Sequence, residues 1–303
     1  MKRFSRLLLD VMRADSAVVV LDADLSRSSG SAAVSANWPD RFVNTGIAEQ
    51  NTMGLAAGMA LMGLRPLVHT FATFATMRAC EQIRTSIAYQ GLNVTICASK
   101  GGLAASRSGP THHATEDLAI MRAIPGMTVL APRDFRDLTA VFPQALALPG
   151  PVYVRMPPEQ EPDDPDGTAP PIGAGAVLQP GDDVVLAFTG SMTRTVREAA
   201  ERLTAAGLSV GIVYLPTVKP LDSGLIVECA ATARLMLTIE EHNVIGGLGS
   251  AVAEVLAGRR AAPPLLRLGI EDRFCYASGS HAELLDAYCV SADDLVHRVL
   301  ERC

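Results

Sequence analysis

Aliphatic runs of strand length alternate along this chain with segments whose apolar residues recur every three or four positions. AVVVLDADL (17–25) reads as a strand, followed by a polar Ser/Gly loop, SRSSGSAAVS. A helical pattern covers roughly 48–63, and RPLVHTF (65–71) is a second strand. MRACEQIRTSIAYQ (77–90) is amphipathic, with Met77, Cys80, Ile83, Ile87 and Tyr89 largely on one face. NVTICAS (93–99), MTVLAP (127–132) and PVYVRM (151–156) continue the strands, with helices over TEDLAIMRAI (115–124) and about 134–148. Strands this uniformly aliphatic, joined by helices, predict a parallel sheet covered on both faces.

PPEQEPDDPDGTAPP (157–171) breaks the pattern with prolines and acids and almost no apolar residue, the composition of an exposed linker. The alternation then restarts with VVLAFTG (184–190), a helix over 193–206, LSVGIVYL (208–215), a helix near 223–232 and ARLMLTIEE (233–241). GGLGSAVAEVLAG is a glycine turn entering a helix, LLRLGI (265–270) is a last strand, and the remaining residues are helical. The prediction is an α/β protein of two parallel-type domains, 1–158 and 173–303, joined by a linker at 159–172.

Composition narrows the function classes. A length of 303 residues suits about two domains, and 49% hydrophobic content supports sizeable cores. A formal net charge of −6 argues against nucleic acid or an anionic membrane surface as partner, and 5% aromatic residues against a base-stacking platform. The six cysteines, at 80, 97, 229, 275, 289 and 303, form no C-x-x-C pair and read as reduced thiols of a cytoplasmic protein. MKRFSRLLLDVMRAD has a basic start, but its apolar run soon meets Asp10 and Arg13, which suits an amphipathic helix better than a signal peptide. No apolar run reaches the length of a membrane-spanning helix.

VNTGIAEQNTMG (43–54) carries one carboxylate, Glu49, between two segments that both favour burial. It reads either as an acid rewarded by the positive end of a helix or as a group whose protonation the fold controls. TGIAEQNTMGLAAGMALMGLRPLVHTFATF, GPTHHATEDLAIMRAIPGMTVLAP and TIEEHNVIGGLGS, in this order and spacing, resemble the C-terminal half of a transketolase. More distantly the chain resembles the equivalent parts of deoxyxylulose-phosphate synthases and of the β subunits of 2-oxoacid dehydrogenases. The resemblance implies a pyrimidine-binding domain for thiamine diphosphate, followed by a transketolase C-terminal domain.

By that resemblance Glu49 stands at the catalytic glutamate position, where a carboxylate shielded from water shares a proton with the cofactor's aminopyrimidine ring. Phe74 of HTFATFATM becomes the residue stacked on that ring, with Phe71 its neighbour and Met77 replacing a further aromatic. Plain core packing is the competing reading of two phenylalanines at helical spacing. His112 of GPTHH matches a substrate-facing histidine, and His113 is the lesser candidate. Asp24 matches an aspartate near the cofactor and is otherwise a strand-end turn acid.

The departures bear on substrate. Sugar-phosphate transketolases carry an acidic pair before GPTH, whereas this chain has Arg107 and Ser108, losing a hydroxyl acceptor and gaining a cation. Ser28 and Arg155 keep family phosphate-side positions, and Lys100 replaces a histidine, so the predicted pocket is cationic. The GDG-to-Asn motif that binds the diphosphate through Mg²⁺ is missing, and no metal ligands are assigned to this chain; the resemblance therefore implies a partner subunit supplying Mg²⁺, as in a split transketolase built as an α₂β₂ tetramer. The predicted reaction moves a two-carbon ketol unit from a ketose (phosphate) to an aldehyde. The alternatives are a 2-oxoacid-decarboxylating subunit and a non-catalytic partner of the same fold.

Overall fold

The computed structural model describes residues 2–302 except Asp166 and Thr168, and the Ser28 side chain also lies outside the described residues. Six strands run through the first half: β1 (Val18–Asp22), β2 (Phe42–Asn44), β3 (Arg65–Phe71), β4 (Thr95–Ser99), β5 (Thr128–Leu130) and β6 (Val152–Arg155). The second half adds β7 (Ala176–Gln179), β8 (Val184–Phe188), β9 (Val210–Tyr214), β10 (Thr217–Lys219), β11 (Leu235–Asn243) and β12 (Leu265–Ile270). They form a seven-stranded sheet, β10-β5-β6-β4-β3-β1-β2, and a five-stranded sheet, β12-β11-β8-β9-β7. Both are parallel except at one edge, where β10 and β7 pair antiparallel.

Each central strand is buried on both faces, as its unbroken aliphatic sequence requires. In β1, Val19 and Leu21 enter one core with the helix Glu49–Leu61, while Val18 and Val20 enter another with the helices Arg3–Ala14 and Phe135–Ala147. The second sheet repeats the arrangement, with Val184, Leu186 and Phe188 on one side and Val185 and Ala187 on the other.

Four features depart from the sequence expectation. The Ser/Gly loop after β1 holds two short helices, Ser26–Ser29 and Ala32–Asn37, drawn in by the buried Asp22 carboxylate, whose Oδ1 accepts from Leu25 N and whose Oδ2 accepts from Ser31 Oγ at 2.7 Å. The segment expected as one amphipathic helix over 77–90 contains two π-helical stretches, Phe74–Arg78 and Gln82–Ala88. Their wider turn breaks the expected face: Ile83 and Ile87 are buried while Met77 and Tyr89 are exposed. β10, from the second half of the chain, completes the first sheet. The acidic Pro-rich stretch is exposed at Gln160, Pro162, Asp163 and Pro165 but pinned at two points: buried Asp164 pairs with Arg133 at 3.1 Å and Arg197 at 2.9 Å, and Glu159 accepts from Arg3 N at 2.6 Å.

A buried ion network joins the two lobes. Arg155, at the end of β6, donates from Nε to Asp117 Oδ2 at 2.9 Å and from Nη1 to the Glu241 carbonyl at 2.9 Å, and Nη2 meets Asp117 Oδ1. Burial pushes the Asp117 carboxyl up, but Arg155 and the Tyr153 hydroxyl at 2.6 Å outweigh it and hold it below the usual range. Two glycines make room: a Cβ on Gly101 would stand 2.5 Å from Arg155 Cγ, and one on Gly102 2.5 Å from Glu241 Oε1. Glu241 also pairs with His281 at 2.9 Å.

Arg155→Met leaves Asp117 buried without its cation, and we expect a loss of about 3–5 kcal/mol in urea unfolding. The folded value of Asp117 is depressed, so its contribution is complete above the unfolded carboxyl range, near pH 4. It disappears as pH falls through the folded value, so the gap between wild type and variant closes on acidification.

Candidate active site

The carboxyl ends of the first sheet's parallel strands gather the chemistry. β2 and β3 flank β1 on opposite sides, which places a crevice outside the strand ends, where open α/β sheets bind ligands. Asp24 follows β1, Phe71 closes β3, and Lys100 follows β4.

Glu49 is the first residue of the helix Glu49–Leu61 and is 2% exposed. The turn before it is fixed by Gly46 at φ 72° and by Thr45 Oγ1 against Thr52 Oγ1 at 2.6 Å. Both sequence readings of this acid therefore meet in one place: it faces the helix's positive end, and it is shut away from water. Its Oε2 accepts from Arg78 Nη1 at 2.8 Å, while Oε1 accepts nothing among the described residues. Arg78 Cζ lies 4.3 Å from the centroid of the half-buried Phe74 ring.

Phe71, Phe74 and His112 form an aromatic group. The ring of His112 meets Phe74 edge-on at 5.2 Å and Phe71 at 6.1 Å, and the two phenylalanines are 6.0 Å apart. His112 Nδ1 faces Thr111 Oγ1 at 3.0 Å. The loop carrying His112 is anchored by the second lobe: Leu103 is buried in that lobe's core and its N–H donates to Glu241, and Ser278 Oγ donates to the Arg107 carbonyl at 3.2 Å. His113 is buried in the same anchor, with Nδ1 facing the Cys275 carbonyl at 3.2 Å and Nε2 that of Ser106 at 3.1 Å.

The remaining candidates are more scattered. Asp24, at φ 61°, is exposed and accepts from Asn44 Nδ2 at 3.1 Å. Met77 is exposed beside Arg78. Lys100 is exposed and lines a recess of about 300 Å³ with Lys2, Ser29, His69, Phe71 and Ser99. A larger cleft of about 630 Å³ between the lobes also reaches Lys100 but contains none of Glu49, Phe74 or His112. Arg107 and Ser108 are exposed on a short 3₁₀ turn. Arg155, expected on the substrate's anionic side, meets an internal anion instead: among the described residues its hydrogen bonds go to Asp117, Ala114 and Glu241. Sequence reasoning missed Arg78, although its place four residues after Phe74 put both on one helical face. It also missed Asp22, which ties the loop of Ser28 to His69 at 3.2 Å.

Family models for the transketolase pyrimidine-binding domain and the transketolase C-terminal domain match residues 2–162 and 173–295. The chain belongs to the transketolase family. The 6-deoxy-6-sulfo-D-fructose transketolase subunit SqwH of Clostridium sp. (strain MSTE9) is 40% identical over 303 residues, covering 98% of this chain and 92% of that subunit. A solved structure described as a split gene transketolase, an inactive β4 tetramer, is 40% identical with a TM-score of 0.87, covering 99% of this chain and 96% of its own. The 1-deoxy-D-xylulose-5-phosphate synthase of Dechloromonas aromatica (strain RCB) is 36% identical over 99% of this chain, which spans 48% of that enzyme. The chain is thus the C-terminal part of a split transketolase, a transferase of the thiamine-diphosphate family. No helix among the described residues is long and apolar enough to cross a membrane.

The residues fit the pyrimidine end of that cofactor: a shielded carboxylate keeps one oxygen without a partner, next to a half-buried aromatic face. Phe74→Leu removes the ring while keeping apolar bulk. It should weaken thiamine diphosphate binding to the assembled enzyme by about 2–10-fold, the equivalent of a stacking loss of about 0.5–1.5 kcal/mol. Unchanged affinity in calorimetry would place Phe74 outside the cofactor wall.

Proposed function

We propose that this chain is the cofactor-activating subunit of a two-component transketolase, and that its site is completed by a partner carrying the diphosphate and Mg²⁺ ligands. The linkage of Glu49 to Phe74 through Arg78, and the edge-on contact of Phe74 with His112, carry this reading. The helix Glu49–Leu61 packs on the π-helical segments, and these elements and their flanks leave Ile47, Leu55, Leu61, Met62, Met77 and Tyr89 exposed. So many exposed large apolar side chains on these elements support a protein partner covering them. An α₂β₂ assembly in the cytoplasm is the arrangement we favour, and the five described cysteines are all free.

Thiamine diphosphate, when bound, would supply the nucleophilic carbon that carries a two-carbon ketol unit from a ketose to an aldehyde. The chain's own residues serve it as follows. Glu49 presents Oε1 to the aminopyrimidine ring and holds the proton shared there. Phe74 would stack on that ring and Phe71 would back it, with Met77 and Asp24 as further candidates for its surroundings. His112 offers a ring nitrogen to substrate oxygens. Lys100 meets the anionic tail, while Arg155 remains in the seam. The relative that acts on a sulfosugar supports a donor ending in a phosphate or sulfonate. Arg107 and Ser108, in place of the acidic pair, point to an acceptor that does not rely on a carboxylate to bind its hydroxyl.

Co-expression with a diphosphate-binding subunit should give ketol transfer, with light scattering reporting a mixed tetramer. Glu49→Gln should lower the rate of that enzyme at least about 100-fold; a rate like wild type would remove Glu49 from the chemistry. His112→Asn should raise KM for the ketose while leaving cofactor affinity unchanged. The kinship with deoxyxylulose-phosphate synthase supports one competitor, a pyruvate-decarboxylating enzyme, which CO₂ release from pyruvate in the same assay would reveal.

A further inference from the structure

Arg78 provides the one side-chain hydrogen bond that the Glu49 carboxylate makes among the described residues. The two ends of this pair differ sharply, since Glu49 is 2% exposed and Arg78 45%. A carboxylate shielded alone would be left uncompensated, and the arginine reaches in from the rim to prevent that. The contact is one-pronged. Nη1 donates to Oε2 at 2.8 Å, a charge-assisted length, and the guanidinium fork does not engage both oxygens. The same guanidinium covers the Phe74 ring, 4.3 Å from its centroid, at the close of the π-helical turn Phe74–Arg78. Turns of this kind concentrate at functional sites. One cation therefore touches both the acid and the aromatic wall, the two groups that must keep a fixed relation to grip an aminopyrimidine.

Such a group acts either as a stand-in that leaves when the ring arrives or as a brace that stays. A stand-in would occupy the acceptor that the ring needs. Here Oε1 is without a partner and only Oε2 is taken, which is the geometry of a brace.

We propose that Arg78 is a positioning residue for Glu49: it secures Oε2 so that Oε1 is the atom presented to the aminopyrimidine, and packs on Phe74 to fix the stacking wall beside it. This rests on the cofactor reading above. The test uses the enzyme assembled with its diphosphate-binding subunit, in wild-type, Arg78→Ala and Arg78→Lys forms. Calorimetry gives thiamine diphosphate affinity, and NMR of quenched samples gives the rate at which the cofactor's thiazolium C2 proton exchanges with deuterium. Arg78→Ala should slow exchange about 100-fold, the scale of a slight misplacement of a reacting group, while affinity falls less than about 10-fold. Arg78→Lys, and guanidinium ion added to Arg78→Ala, should each recover part of the exchange rate. Unchanged exchange would reduce Arg78 to a surface ion pair, and tighter cofactor binding would make it a stand-in; either overturns the proposal. If Arg78→Ala does not assemble, Arg78→Gln, which keeps length without the charge, carries the same comparison, and wild-type exchange in it also overturns the proposal. A wild-type enzyme that neither binds the cofactor nor exchanges its proton overturns the cofactor reading itself, a result distinct from the others.

Discussion

The arrangement of the site depends on a cation that never reaches it. Arg155 is buried in the seam between the lobes, where a guanidinium is tolerable only if its donors are met. Asp117 supplies the charge, and the carbonyls of Ala114 and Glu241 supply further acceptors from both sides of the seam. Ala114 also pairs with Gly102, which closes the base of the loop that carries His112. The second lobe thus acts on the chemistry by holding that loop: it buries Leu103, pins His113 and takes up the Arg107 carbonyl, so that His112 stands edge-on to Phe74.

Polar satisfaction is distributed unevenly, and the unevenness has direction. In the seam Asp117 and Glu241 are held below the ordinary carboxyl range, burial being outweighed by Arg155 and its companions at the first and by His281 at the second. At the other edge, Glu49 is equally shielded but engages one cation through one oxygen. Ile47, two residues before it in the chain, is exposed.

Much of this was legible because strand burial writes itself as aliphatic runs and because the motifs kept their order. Glu49, Phe74 and His112 come from three separated segments, and the fold brings Phe74 to both of the others, to Glu49 through Arg78. What was not legible shares a cause: it depends on partners distant in sequence. Asp164 reads as a linker acid until Arg133 and Arg197 are seen to bury it, and the Ser/Gly loop reads as irregular until Asp22 organises it. Arg155 reads as a residue for the substrate's anionic side, and the carboxylate it meets in the fold is that of Asp117, inside the molecule. The short strand β10 gives no periodicity of its own, and its membership in the first sheet follows from tertiary pairing with β5.

The anchoring of the His112 loop also bears on how specificity can vary in such an enzyme. Leu103 and His113 bracket the loop and are held by the second lobe, whereas the Arg107 and Ser108 side chains between them are exposed on a 3₁₀ turn. Arg107 contributes its main-chain carbonyl to the anchor, an atom that any residue provides. Its side chain and that of Ser108 are therefore freed from the task of placing His112. Exchanging an acidic pair for Arg and Ser changes the charge of this exposed turn without altering the contacts of Glu49, Phe74 or His112. The loop thus separates the atoms that anchor it to the second lobe from two side chains that can vary without repacking the core.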